Sequence, residues 1–141
     1  MAVKHRSVLL DTCAAIWIAN GEPIADEAAR LLGEMHRTGG AVFVSPITAW
    51  EIGLLVARGR LNLMMPPAQW FDRLLEAPGL RLSEMPPELL IASSFLPGSP
   101  PRAPADRILA ATAREYGYQL VTRDATLLAY GEQGHIQSRI C

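Results

Sequence analysis

The chain has 141 residues, of which 50% are hydrophobic and 19% are charged. This balance is typical of a globular protein and excludes intrinsic disorder, and the length suffices for one domain with a sizeable core. The net charge of −1 excludes a basic field over the whole surface, so any contact with nucleic acid must use a local patch. We expect a single domain over residues 1–141.

Short apolar runs alternate with segments of helical periodicity along the whole chain. The first half predicts, in order, a strand at Ser7–Leu10, helices at Thr12–Ala19 and Ala25–Arg37, a strand at Ala41–Val44, and helices at Pro46–Arg58 and Ala68–Glu76. The second half predicts a strand at Leu80–Leu82, helices at Glu88–Phe95 and Asp106–Tyr116, a strand at Tyr118–Thr122, a helix at Ala125–Tyr130 and an edge strand within Gly134–Ile140. Alternating strands and helices predict an α/β fold, a three-layer α/β/α sandwich with a mainly parallel central sheet.

The sequence also indicates where the protein works. No stretch approaches the roughly 18 apolar residues that a membrane span requires. Basic residues 4–6 precede an apolar run as in a signal peptide, but Asp11 interrupts that run too early for a signal-peptide core. Cys13 and Cys141 lie far apart and have no metal-ligand spacing, which is typical of free thiols in a reducing compartment. We therefore expect a cytoplasmic protein that is not bound to a membrane.

Four acidic residues stand where a predicted strand ends or a predicted helix begins: Asp11, Glu51, Asp106 and Asp124. The carboxyl ends of parallel strands meet at one edge of the sheet, where open α/β folds bind their ligands. Carboxylates that converge there need a counter-charge, and a divalent cation that prefers hard oxygen ligands, Mg²⁺ or Mn²⁺, supplies one. The pattern therefore predicts a metal site.

Each acid also has a structural explanation when it is considered alone. Asp11 and Asp124 could cap the helices that follow them, and Asp106 in a first helical turn complements the helix dipole. Thr48 and Glu51 match the S/T-x-x-E capping box. Capping does not explain why all four should lie at one crevice, and the other two of the five aspartates lie on polar helix faces. The set as a whole therefore favours the metal site.

The segments around the four acids resemble those of PIN-domain ribonucleases, specifically VapC-type toxins of bacterial toxin–antitoxin pairs. The matching segments are, in order, LLDTCAAIW, SPITAWEIGLLVARGRL, PADRILAATA and LVTRDATLLAYG. The resemblance runs from about Val8 to Gly131 and includes the central PPAQWFDRLLEAPGLRL. It departs at Ala103, where many relatives carry an aspartate three residues before the helix acid.

The resemblance implies a metal-dependent endoribonuclease that hydrolyses RNA phosphodiester bonds with Mg²⁺ or Mn²⁺. It implies that Asp11, Glu51, Asp106 and Asp124 form the catalytic, metal-binding set, with Asp11 and Asp106 as the principal ligands. Thr122 matches a hydroxyl position that relatives use near the metal or phosphate. The family further implies a homodimer and a cognate VapB-type antitoxin whose tail covers the active site.

Three arginines adjoin the acids in sequence and could bind RNA phosphates: Arg102, Arg107 and Arg123. The alternative is that they are solvated surface charges. Two other functions also remain open. A catalytically silent PIN-fold module that binds RNA or protein would lack one of the acids, and none is missing here. A receiver-like phosphoryl-transfer domain needs a lysine near its last strands, whereas Lys4 is the only lysine of this chain.

Overall fold

A parallel sheet forms the centre of the molecule in the computed structural model, which describes residues 7–141. In this part of the chain there are five strands: β1 (Val8–Leu10), β2 (Val42–Val44), β3 (Leu80–Leu82), β4 (Gln119–Thr122) and β5 (Gln137–Ile140). There are seven helices: α1 (Thr12–Ala19), α2 (Asp26–Thr38), α3 (Pro46–Ala57), α4 (Pro67–Leu74), α5 (Pro87–Ala92), α6 (Pro104–Tyr116) and α7 (Ala125–Glu132). The basic residues 4–6 lie outside the described residues.

The strand order is β3-β2-β1-β4-β5, and every neighbouring pair is parallel. The central strand β1 pairs through Leu10 with Val44 on one side and with Val121 on the other. All strands therefore end at the same edge, and the helices that follow β1, β2 and β4 begin there.

Side chains of β1 alternate between two apolar layers, as the two-residue period of a strand requires. Val8 and Leu10 pack against α1 and α2, together with partly buried residues of α4. Leu9 packs on the opposite face against α6 and α7. The predicted three-layer α/β/α sandwich is confirmed, with helices on both faces of the sheet.

Several helix boundaries differ from the sequence prediction because prolines begin the helices. The structure starts α4, α5 and α6 at Pro67, Pro87 and Pro104, one or two residues earlier than predicted. A proline fits the first helical position, where its missing N–H group is not needed and its φ angle is already helical. In the described residues 7–141, no helix combines the length and apolar composition that crossing a bilayer requires.

Thr48 and Glu51 do not form the capping box that was the structural alternative for Glu51. The N-cap of α3 is Ser45, whose hydroxyl accepts a hydrogen bond from the Ile47 amide at 3.1 Å. Thr48 lies inside the first turn with no exposed surface. Glu51 is therefore a mid-helix residue, and its carboxylate is available for another role.

Candidate active site

The four acids identified in the sequence line one pocket of about 320 Å³. Asp11 follows β1, Asp124 lies just beyond β4, Glu51 projects from α3 and Asp106 lies in the first turn of α6. The pocket is also lined by Thr12, Cys13, Leu109 and Arg123. The structure thus brings together carboxylates that are up to 113 residues apart in sequence, since Asp11 and Asp124 both line it.

Asp11 is held by hydrogen bonds on both carboxylate oxygens and is only 5% exposed. Its Oδ1 accepts from the Ala14 amide at 2.7 Å, which caps α1, and its Oδ2 accepts from the Thr122 hydroxyl at 2.5 Å. The Thr122 hydroxyl accepts in turn from the Asp124 amide at 2.9 Å. The capping interpretation of Asp11 is therefore correct, yet it does not compete with a place in the pocket. Thr122 links the ends of β1 and β4.

Asp124 caps the helix that follows it. Its Oδ1 accepts from the Thr126 and Leu127 amides at 2.9 and 3.0 Å, and from the Thr126 hydroxyl. Its Oδ2 accepts no hydrogen bond within residues 7–141. One oxygen thus fixes the side chain, and the other stays available to a ligand.

Glu51 and Asp106 have fewer partners. Glu51 Oε1 accepts from the Thr12 hydroxyl at 2.5 Å, and Oε2 has no donor in the described part of the chain. No described residue donates a hydrogen bond to Asp106. Neither acid takes part in a salt bridge, because the ion pair seen in residues 7–141 joins Arg139 and Glu27. The pocket therefore collects negative charge that no cationic side chain of residues 7–141 pairs with.

This environment raises the pKa of several groups. Burial, and then the charges of Asp124, Glu51 and Asp11, raise the pKa of Asp106 to about 7. Burial also raises the pKa of Asp11, although its hydrogen bonds to Thr122 and Ala14 act in the opposite direction. The pKa of the Cys13 thiol rises to about 11, because its sulfur is desolvated and faces all four carboxylates. Cys13 is therefore a neutral thiol at physiological pH.

The raised pKa of Asp106 predicts an unusual pH dependence of stability in EDTA. Its folded value of about 7 lies above its ordinary value of 3.8, so the folded chain holds a proton that the unfolded chain has already lost. Between these two values, stability therefore falls as pH rises. We expect a higher Tm near pH 5 than near pH 7.5, and a smaller difference in Asp106→Asn. Scanning calorimetry would contradict this if both proteins showed the same pH dependence.

The donor set fits a hard divalent cation such as Mg²⁺ or Mn²⁺, which prefers carboxylate oxygens. Asp106, Glu51 and Asp124 each keep a carboxylate oxygen without a hydrogen-bond donor among the described residues. As they stand, however, no three Asp, Glu, His or Cys side chains within residues 7–141 form a group that could hold a metal ion. Within the described residues, the pocket thus offers the right ligand type and carboxylates without a cationic partner, but not a preassembled metal site.

Arg107, one of the predicted phosphate-binding residues, is engaged elsewhere. Its Nε, Nη1 and Nη2 donate to the carbonyls of Ser93, Pro101 and Ser94 at 2.9, 3.0 and 3.3 Å. These contacts join the residues after α5 and the loop before α6, which contains Pro97, Pro100 and Pro101, to the start of α6. The guanidinium therefore acts as a structural clamp, which does not support the phosphate-binding prediction.

Arg123 is also held by the protein, although it lines the pocket. Its guanidinium carbon lies 3.5 Å from the centre of the Trp17 ring, and it donates to the carbonyls of Cys141 and Pro23 at 2.7 and 3.0 Å. Arg102, by contrast, is exposed and donates to no described residue. Of the three predicted arginines, Arg102 has the guanidinium that is least committed to the fold.

The sequence did not predict that two threonine hydroxyls lie in a hydrogen-bonded chain that ends on Glu51. Thr12 and Thr48 are both buried, and their hydroxyl oxygens lie 3.1 Å apart beside Glu51. A clue was present, because residues three apart in a helix lie on the same face. The spacing of Thr48 and Glu51 also matches a capping box, but in the structure the Thr48 hydroxyl contacts Thr12, which donates to Glu51.

Comparison with known proteins supports a single family. The PIN domain family profile matches residues 8–133. Ribonuclease VapC22 of Mycobacterium tuberculosis is 32% identical over 125 residues, which cover 88% of this chain and 92% of that protein.

Two solved structures share the fold. VapBC2 from Rickettsia felis, bound to a DNA fragment from its promoter, gives a TM-score of 0.65 at 14% identity and covers 95% of this chain and 98% of the other. FitAcB from Neisseria gonorrhoeae gives 0.52 at 21% identity, covering 93% and 95%. With the sequence matches over most of its length, the chain belongs to the PIN domain family.

Proposed function

We propose that this protein is a Mg²⁺- or Mn²⁺-dependent endoribonuclease that acts as the toxin of a toxin–antitoxin pair. The observation that carries this proposal is that Asp11, Glu51, Asp106 and Asp124 line one pocket and have no salt-bridge partner in the described chain. Membership of the PIN domain family and the likeness to a protein named as a ribonuclease support RNA as the substrate class. Cleavage of RNA by the purified chain with Mn²⁺, and its loss in EDTA, tests the proposal.

Each of the four acids would have a role that follows from its surroundings in the pocket. A bound cation would polarise the scissile phosphate and ease deprotonation of the attacking water. Asp11 and Asp106 would hold the principal ion, while Asp124 and Glu51 would hold a second ion or orient water. Asp11 is fixed on both oxygens and so keeps one orientation, whereas Asp106, with a pKa of about 7, can exchange a proton near neutral pH.

Arg102 and Arg107 should behave differently when each is changed to glutamine. Arg102→Gln should weaken RNA binding several-fold without changing Tm, because its exposed guanidinium can pair with a phosphate but supports no described contact. Arg107→Gln should instead destabilise the fold by about 2 kcal/mol, because three carbonyls lose their donor. Fluorescence anisotropy in an Asp11→Asn background and thermal unfolding would measure both effects. Weaker RNA binding by Arg107→Gln alone, at unchanged Tm, would contradict this assignment.

We also propose a VapB-type antitoxin as the protein partner, and a homodimer. Large apolar side chains stay exposed near α5, with Ile91 64% and Phe95 80% accessible, and such patches are commonly covered by a partner. The fold is shared with VapBC2, a solved assembly. Light scattering of the purified chain would distinguish a monomer of 15.4 kDa from a dimer. A short reading frame immediately upstream would identify the antitoxin candidate for co-purification.

The alternative is a catalytically silent module that binds RNA or protein through the same fold. Retention of all four acids in one pocket favours the enzyme, since a silent module has no need to keep unpaired carboxylates together. A Mn²⁺ titration separates the two, because only the enzyme requires the ion.

A further inference from the structure

Two buried hydroxyls connect the start of α1 with Glu51 on α3. Because β1 and β2 are parallel neighbours, α1 and α3 begin side by side at the same edge of the sheet. Thr12 Oγ1 lies 2.5 Å from Glu51 Oε1 and 3.1 Å from Thr48 Oγ1. Thr12 is 4% exposed and Thr48 is fully buried, so both hydroxyls rely mainly on hydrogen-bond partners within the protein.

The direction of these hydrogen bonds follows from counting protons. An ionised carboxylate only accepts, whereas a threonine hydroxyl has one proton to donate and two lone pairs. Thr12 therefore uses its proton on Glu51, and its oxygen must accept the proton of Thr48. The resulting chain runs from Thr48 to Thr12 to Glu51.

We propose that Thr48 is a positioning residue for the active site and acts on Glu51 through Thr12. The chain holds one oxygen of Glu51 and leaves Oε2 for an ion or a water molecule in the pocket. Hydrogen bonds behind a metal ligand fix its orientation and are worth about 10- to 100-fold in metal affinity or activity. This role rests on the proposed function, because it assigns Glu51 to the metal site.

Thr112 provides a matched comparison. It is also fully buried within a helix, but its hydroxyl donates to the Ile108 carbonyl of its own helix at 2.7 Å. The hydroxyl of Thr48 makes no such bond to a backbone carbonyl in the described chain and is directed across to α1 instead. Replacing either threonine by valine removes one buried hydroxyl at nearly constant volume. If the Thr48 hydroxyl were purely structural, Thr48→Val and Thr112→Val should therefore have the same effect on Mn²⁺ affinity and on RNA cleavage.

The experiment measures Mn²⁺ affinity by calorimetry and RNA cleavage for the wild type, Thr48→Val, Thr48→Ser and Thr112→Val. We expect Thr48→Val to raise the Kd for Mn²⁺ and to lower kcat/KM, each by about 10-fold. Thr48→Ser keeps the hydroxyl and should restore both, and Thr112→Val should change neither. In a Glu51→Ala background, Thr48→Val should have no further effect on Mn²⁺ affinity.

A second measurement does not depend on metal. Urea unfolding in EDTA should give non-additive free energies for Thr12→Val and Thr48→Val, since the two hydroxyls bond to each other. Additive values would overturn the hydrogen-bonded chain. The positioning role alone would be overturned if the wild type bound Mn²⁺ and cut RNA but Thr48→Val behaved like Thr112→Val in both assays. If the wild type neither bound Mn²⁺ nor cut RNA, both the proposed function and the role of Thr48 would be overturned.

Discussion

Asp11→Asn should abolish RNA cleavage and leave the fold intact. Loss of a principal metal ligand removes several kcal/mol of transition-state stabilisation, and about 4 kcal/mol corresponds to roughly 10³-fold in rate. Asparagine caps helices as well as aspartate does, so the bond from the Ala14 amide can be kept. Removing one of four mutually repelling carboxylates should also leave the metal-free protein equally or more stable. Gel-based cleavage assays and thermal unfolding in EDTA measure the two effects.

The control for this substitution is Asp72→Asn, because Asp72 lies exposed on α4 and does not line the pocket. It should cleave RNA at the wild-type rate. Cleavage by Asp11→Asn at that same rate would remove Asp11 from the catalytic set. Unfolding of Asp11→Asn under assay conditions would be recognised by calorimetry and separated from a loss of chemistry.

Mn²⁺ or Mg²⁺ should raise the Tm of the wild type at neutral pH, because an ion that binds only the native state stabilises it. At a free ion concentration of 100 times Kd, this stabilisation is about 2.7 kcal/mol, which corresponds to roughly 8 °C for a chain of this size. Burial is the main cause of the raised pKa of Asp106, and a bound ion would offset the second cause, which is the charge of the other three carboxylates. The shift should be larger near pH 8 than near pH 6, since a proton on Asp106 competes with the ion.

Two variants test whether the ion that raises the Tm binds in the pocket. Asp106→Asn should lose most of the shift in Tm, whereas Asp72→Asn should retain it. Differential scanning fluorimetry with titrated Mn²⁺ and an EDTA blank is sufficient. The same shift in Asp106→Asn as in the wild type would mean that the ion binds outside the pocket.

Much of the fold could be predicted because the local patterns are strong. The apolar runs that form β1, β2 and β4, with helical periodicity between them, gave the correct order of elements. Errors occurred at helix starts, where Pro67 and Pro104 begin their helices earlier than the apolar periodicity suggested. General rules for α/β folds predicted the layers, whereas the strand order was not predicted, because it depends on contacts distant in sequence.

The convergence of the four acids on one pocket could be predicted, because parallel strands end at the same edge of the sheet. The contacts that hold Arg107 and Arg123 within the fold could not be predicted, because adjacency in sequence does not determine where a side chain points. Asp106 and Arg107 are consecutive, but consecutive helical side chains point roughly 100° apart, and Arg107 turns to the carbonyls near α5. The hydrogen bond between Thr12 and Thr48 joins residues 36 apart in sequence and needs the three-dimensional structure.

The most direct test of the metal site is a crystal structure of the protein grown with Mn²⁺, with anomalous data collected to locate the ion. The predicted result is a peak within the pocket, with carboxylate oxygens of Asp11 and Asp106 among its ligands. Glu51 and Asp124 should contact the same ion, a second ion or its water. A pocket without an anomalous peak at saturating Mn²⁺, with the four carboxylates still unpaired, would contradict the account.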